Sequence, residues 1–341
     1  MPRKMGVPGW AAVAAVIAAL LLAAVPVLAR QHHDAAASAS VPVSSAATTA
    51  GSARLSTDGT CVASRLHPAL SSGLLSYRYG ETTRTYRLFV PARDDGRHAL
   101  PVVFDFHGFK ADGALEEQRS RMGVLGVARG FVVVTPDALG TPRRWNTPAD
   151  PGKADDVGFV TALLGELASR YCLDAGRVYA TGHSNGAEFA AALVCRSPLF
   201  AAVAMVSSTS DARCPAGRAP ATMAVHGTAD PSVPYNGGQV VGATVSVPAA
   251  SAVIQDYAAR YGCASAPVRY EPTPGVTAAR YTGCAQGGDV LLDTVIGGTH
   301  LWPASPEARA DPHTSTAGRT FDATGAILDF LAEHHAPTAP R

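Results

Sequence analysis

Six short, predominantly apolar runs, bounded by turn residues and separated by helix-like stretches, constrain the fold of this chain most. They are Val102–Phe106, Phe131–Thr135, Val178–Thr181, Ala202–Ser207, Thr222–Val225 and Val290–Ile296. Continuous rather than alternating apolarity is what a strand covered on both faces requires. The stretches between and after them, Leu115–Arg129, Asp156–Tyr171, Gly186–Cys195, Ala249–Tyr261 and Phe321–His334, carry helical patterns. Asp155 and Asp156 supply the acidic start that favours a helix N-terminus. Ahead of the series, Tyr77–Tyr79 and Tyr86–Val90 alternate and predict a leading hairpin. The alternation predicts an α/β fold, a mostly parallel sheet with helices on both faces. In such sheets chemistry collects at the carboxyl ends of the strands.

The first residues do not belong to this pattern. Arg3 and Lys4 precede an apolar stretch from Trp10 to Leu28, and Val27-Leu28-Ala29 offers small residues at the spacing a signal peptidase accepts. Residues 1–29 are therefore expected to be a signal peptide. The alternative is a membrane anchor, since about 20 apolar residues span a bilayer. Residues 30–55 are rich in Ala, Ser and Thr without periodicity and predict a flexible linker. Residues 56–341 are expected to form a single α/β domain outside the cytoplasm, in contact with a membrane only if the first segment is retained. With 28 Lys+Arg against 27 Asp+Glu, the chain lacks the basic excess that phosphate neutralisation needs, and no nucleic-acid partner is expected. Arg3 and Lys4 are the charges of residues 1–29, so cleavage takes the net charge from +1 to −1.

Three strand ends carry unusual residues. Gly182-His183-Ser184-Asn185-Gly186 lies between the strand Val178–Thr181 and the helical stretch that follows. A tight strand-to-helix turn leaves no room beside the serine, hence the two glycines, and lifts the hydroxyl above the sheet at a helix N-terminus. A serine needs a base, and the base an orienting carboxylate, in the chain order Ser, Asp or Glu, His. Asp230 follows the strand Thr222–Val225, and His300 follows Val290–Ile296. Ser184, Asp230 and His300 are thus the expected nucleophile, orienter and base. His107-Gly108-Phe109 follows Val102–Phe106, where this fold draws one oxyanion-hole N–H, the other coming from the residue after the nucleophile. Phe109 and Asn185 are the expected backbone donors. Asp137 is the rival carboxylate, disfavoured because it precedes the serine.

These stretches resemble a group of exported α/β-hydrolase esterases that joins polyhydroxybutyrate depolymerases with feruloyl and acetylxylan esterases. The resemblance is carried by PVVFDFHGF, GFVVVTPDALG, ADDVGFV, RVYATGHSNGA, HGTADPSVPY and YTGCAQGGDVLLDTVIGGTHLWP, between about residue 86 and 303. It implies an α/β-hydrolase fold, the same three residues in the same roles, and a serine esterase acting through an acyl-enzyme without a cofactor. The implied substrate is a small ester, a polyester oligomer or an esterified polysaccharide. One departure stands out: this group commonly has a hydrophobic residue before the nucleophile, where this chain has His183.

The remaining expectations are local. Trp302, two residues from His300, and Trp145 are candidate apolar walls for a substrate group. No metal-binding constellation is visible. Six cysteines in an exported chain suggest disulfides and allow 15 pairings. Cys195 with Cys214 and Cys263 with Cys284 close short loops, while Cys172 is left open as a free buried thiol. His32-His33 and His334-His335 are read as solvated ends, and the protein as a monomer. A triad does not choose its leaving group. A peptidase or acyltransferase on the same fold, and a non-catalytic wall-associated binding protein, are therefore the alternatives to an esterase.

Overall fold

The computed structural model describes residues 55–61, 72–92, 95–147, 152–285 and 288–336, all within one compact unit, Ala50–Arg341. The predicted export segment and almost all of the linker lie outside the described residues, as does the His32-His33 pair. Among the described residues no helix is long and apolar enough to cross a membrane.

The apolar runs all become strands. In chain order they are β3 (Leu100–Phe106), β4 (Val132–Pro136), β5 (Leu173–His183), β6 (Ala202–Val206), β7 (Ala221–Gly227) and β12 (Val290–Val295). These six form a contiguous parallel block in the order β4-β3-β5-β6-β7-β12. An antiparallel hairpin extends each side: β1 (Gly73–Tyr79) with β2 (Thr82–Phe89) beside β4, and β11 (Val276–Tyr281) with β10 (Val268–Thr273) beside β12. The sheet therefore has ten strands. A separate two-stranded ribbon joins β8 (Gly238–Gln239) to β9 (Ser246–Val247).

Burial on both faces explains the continuous apolarity. Along β3, Val102, Phe104 and Phe106 enter one core while Val103 enters the other. The first core is closed by α3 (Asp156–Ala168), α4 (Asn185–Arg196) and α5 (Ala250–Arg260) through Phe159, Leu163, Phe189 and Tyr257. The second is closed by α2 (Met122–Ala128) and α8 (Ala323–Ala332) through Met122, Ile327, Leu328 and Leu331. Asp155 caps α3 as its acidic start predicts, accepting from the N–H of Gly158 at 2.9 Å. Asp156, one residue on, makes a fully buried ion pair with Arg84, 2.6 Å apart.

The expected helix Leu115–Arg129 is two helices. After α1 (Gly113–Ser120), Arg121 takes a left-handed conformation with φ 54°, and α2 begins again. The break is satisfied by tertiary bonds: Ser120 Oγ donates to buried Asp105 at 2.7 Å and accepts from the N–H of Met122 at 3.1 Å. The stretch Phe321–His334 is shorter as a helix too, α8 following two single turns, α6 (Pro306–Ala310) and α7 (Thr316–Thr320).

Three disulfides join Cys61 to Cys172, Cys195 to Cys214 and Cys263 to Cys284. The two short closures are as expected. Cys172 is not free: it ties the start of β5 to the segment at residue 61. His334 is not solvated either, being 8% exposed, with Nδ1 donating to the Phe330 carbonyl at 2.7 Å and Nε2 lying 3.4 Å from Asp289.

Candidate active site

Chain order reverses around β3, which lies between β4 and β5, so the strand ends on either side of it diverge and leave a crevice. The loop after β3 carries His107-Gly108-Phe109, and the turn after β5 carries Ser184. Ser184 caps α4 with φ 54° and ψ −119°, a strained backbone for a residue with a side chain. Crowding of the turn against β3 holds it there. A Cβ on Gly182 would lie 2.6 Å from the Phe106 carbonyl oxygen and 2.7 Å from the main chain of Gly186. One on Gly186 would run into the carbonyls of Phe106 and His107.

The three predicted residues come together. Ser184 Oγ lies 3.1 Å from His300 Nε2, and His300 Nδ1 lies 2.8 Å from Asp230 Oδ2. They stand at the ends of β5, β7 and β12, and β6 is the one strand between the first two in the sheet. Asp230 is 7% exposed. Its Oδ1 accepts the N–H groups of Ser232 and Val233 at 2.8 and 2.9 Å. Burial pushes its pKa up, but donation from His226, His300 and the Val233 N–H outweighs burial and holds the carboxyl below the usual range. It stays an anion, as an orienter of imidazole must.

His226 is a member of this group to which the sequence assigned no role. It is 2% exposed, and its Nε2 lies 3.2 Å from Asp230 Oδ2 and 3.1 Å from the Val233 carbonyl oxygen. A carbonyl only accepts, so Nε2 carries the proton and shares it between the two oxygens. Nδ1 then accepts from the Thr209 hydroxyl at 3.3 Å. A histidine four residues before the carboxylate, on a predominantly apolar strand, was the available signal.

The oxyanion loop is fixed from below. His107 is fully buried; its Nε2 accepts the N–H of Ala138 at 2.9 Å, which leaves Nδ1 to donate to the Gly108 carbonyl at 2.8 Å. Burial lowers the pKa of this ring and keeps it neutral. As the first residue of α4, Asn185 has an N–H without an intrahelical acceptor. Among the described residues neither that N–H nor the one of Phe109 is taken up by a loop or cap hydrogen bond. Both residues line the cavity that opens at Ser184, about 1090 Å³ in volume, together with His300, Val233, Val245 and Leu301.

The two tryptophans are a correction. Trp145 and Trp302 are each 1% exposed and line no part of this cavity. Each turns inward because its indole N–H finds a buried acceptor, the His107 carbonyl for Trp145 and the Thr324 hydroxyl for Trp302, both at 3.0 Å. They support the oxyanion loop and the His300 loop rather than face a substrate. Among the large apolar residues at the cavity the exposed ones are Phe109, Val241 and Val245. Asp137, the rival carboxylate, is taken up by the N–H of Gly113 and the hydroxyl of Thr85 and stands outside the cavity.

A mixed sheet in this order, with serine, imidazole and carboxylate hydrogen-bonded in line at its strand ends, is the architecture of the α/β-hydrolase class. Within it the chain belongs to the esterase PHB depolymerase family, which it matches over residues 84–268. That span takes in Ser184 and Asp230 and ends before His300. Feruloyl esterase B of Piromyces equi is 28% identical over 222 residues, covering 62% of this chain and 41% of that protein. The chain thus spans less than half the length of that relative. The probable feruloyl esterase C of Aspergillus clavatus is 28% identical over 228 residues, covering 64% of this chain and 76% of its own. The putative esterase NocK of Nocardia uniformis is 29% identical over 281 residues, 73% and 79% of the two chains. Among solved structures, acetyl xylan esterase from Aspergillus awamori superposes with a TM-score of 0.53 at 16% identity, over 67% of this chain and 94% of that one. This last likeness is one of fold.

Proposed function

We propose that the protein is a serine esterase acting outside the cytoplasm on carboxylic esters, with Ser184, His300 and Asp230 as its triad. The observation that carries the reading is the unbroken relay from Ser184 Oγ through both ring nitrogens of His300 to Asp230, at 3.1 and 2.8 Å, at the mouth of a cavity. His300 Nε2 takes the serine proton as Oγ attacks the ester carbonyl. The oxyanion that forms is held by the N–H groups of Asn185 and Phe109, and the positive end of α4 favours it. His300 then gives the proton to the departing alcohol, leaving an acyl-enzyme. Water activated by the same imidazole returns the free acid and the serine. Asp230 keeps the Nδ1 proton on the imidazole and stabilises the imidazolium between the two steps.

Three disulfides support an oxidising compartment. The names of the family and its relatives support hydroxyalkanoate oligomers and feruloyl or acetyl esters of polysaccharide as substrates, and the partner is a substrate of that kind. Ser184→Ala tests the reading. Hydrolysis of p-nitrophenyl butyrate and labelling by a fluorophosphonate should both fall to background, and a variant as fast as the parent would refute it. Turnover of methyl ferulate, acetylated xylan and 3-hydroxybutyrate oligomers by the parent then selects the substrate class.

A further inference from the structure

His183, the departure noted in the sequence, stands where three parts of the site meet. It closes β5 and is 5% exposed. Its Nε2 lies 2.7 Å from the carbonyl oxygen of His300. Because a carbonyl only accepts, Nε2 carries the proton and donates it. Among the described residues no backbone N–H bonds that oxygen. Burial pushes the pKa of His183 down to about 3, and the His300 ring acts in the same direction, so the ring is neutral wherever the base is competent. Nδ1 is left bare, without a hydrogen-bond partner among the described residues, and it faces the oxyanion loop: a Cβ on Gly108 would stand 3.2 Å from it.

We propose that His183 is a positioning residue: it holds the main chain of His300 from the end of β5, and its ring beneath Gly108 sets the height of the oxyanion loop. The inference rests on the triad reading above. Its physical content is that consecutive residues of one strand end carry the nucleophile and grip the backbone of the base. A displacement of β5 therefore moves both together and preserves the Oγ–Nε2 distance. Ser184 is itself pinned to the sheet, its N–H donating to the Val206 carbonyl at 2.9 Å. His300, by contrast, sits in a loop after β12, and its ring position follows from where its backbone is held. A hydrophobic residue at position 183 fills the same space but offers the His300 carbonyl no donor.

The test compares His183→Leu, which keeps bulk and removes the donor, with His183→Gln, whose amide N–H can still reach the carbonyl. For p-nitrophenyl butyrate, His183→Leu should lower kcat roughly 10- to 100-fold with KM within about twofold, since a misplacement near 1 Å costs about that much. Fluorophosphonate labelling should slow by a similar factor, and His183→Gln should recover both to within about fivefold of the parent. Full activity of His183→Leu, or equal losses in both variants, would overturn the inference. Ser184→Ala measured alongside separates the two claims: parent-like activity there sinks the triad, whereas an inactive Ser184→Ala beside a fully active His183→Leu sinks only the role of His183. The imidazole ¹⁵N spectrum of the parent reads the same contact even if neither variant folds. The His183 ring should remain in the Nε2–H form from pH 5 to 9, and a ring that titrates or carries its proton on Nδ1 would refute the contact.

Discussion

Replacing His226 by leucine removes a donor from the far side of Asp230 while leaving Ser184, His300 and the oxyanion loop untouched. Hydrogen bonds to charged groups contribute about 1.5–3 kcal/mol. This one, at 3.2 Å and shared with the Val233 carbonyl, is longer than the 2.8 Å bond from His300 and belongs at the lower end. About 1.5 kcal/mol corresponds to a rise of about one unit in the pKa of the carboxyl. Asp230 remains ionised at neutral pH, but its charge is less compensated and holds the His300 imidazolium more tightly. The acid limb of kcat/KM should therefore move upward by about half a unit to one unit, and catalysis near pH 6 should drop several-fold. Stability should fall as well. The Val233 carbonyl loses its partner in a buried place, so the total is about 2–3 kcal/mol, or roughly 4–10 °C in Tm. A carboxyl held below its ordinary pKa stabilises the fold above that ordinary value, and the contribution is lost as pH falls through the lower one. The Tm gap between variant and parent should thus be as wide at pH 4 as at pH 7 and close only below the ordinary carboxyl range. The assays are pH profiles of p-nitrophenyl butyrate hydrolysis and thermal melts at pH 7 and 4. An acid limb that does not move, or a gap that has already closed at pH 4, would refute the argument.

Two glycines should respond oppositely to alanine. Gly186→Ala drives a Cβ into the carbonyls of Phe106 and His107, and should abolish fluorophosphonate labelling or soluble expression. Gly165→Ala, in α3 with nothing within 4 Å of the new atom, should stabilise by about 0.5–1 kcal/mol, read as a higher Tm. Asp293 is 3% exposed, and burial pushes its pKa up to about 7, against a smaller opposing effect of Arg280. Its contribution is intact below the ordinary carboxyl range and is lost as pH rises through about 7. Asp293→Asn should therefore gain in Tm over the parent from pH 5 to pH 8, and a gap equal at both would contradict the sign.

Burial on both faces is a strong compositional demand, and for that reason the six parallel strands were legible from apolarity alone. The meeting of Ser184, Asp230 and His300 was legible too, because each follows such a strand within five residues. What escaped was decided by tertiary contacts that leave no local pattern. The break in the helical stretch Leu115–Arg129 falls at Arg121, neither glycine nor proline, because Ser120 is drawn to Asp105. The β10–β11 hairpin has an outer strand, Val268–Thr273, exposed along nearly its whole length, so burial forced no apolar run on it. Trp302 lies two residues from His300, yet proximity along the chain does not determine which way it, or Trp145, turns. Their buried hydrogen-bond acceptors did. Cys172 could not be paired because its partner lies 111 residues away.

The order of the strands has a consequence for biosynthesis. β12 reaches its place beside β7 only after the chain has run past Ser184 and Asp230, and it is held on its other side by β11, which immediately precedes it. On the triad reading, a growing or translocating chain exposes its serine long before a base exists to activate it. The nucleophile is born inert. Chemical competence waits on the docking of the hairpin and β12, which brings His300 to the serine, so hydrolysis is a late property of this polypeptide.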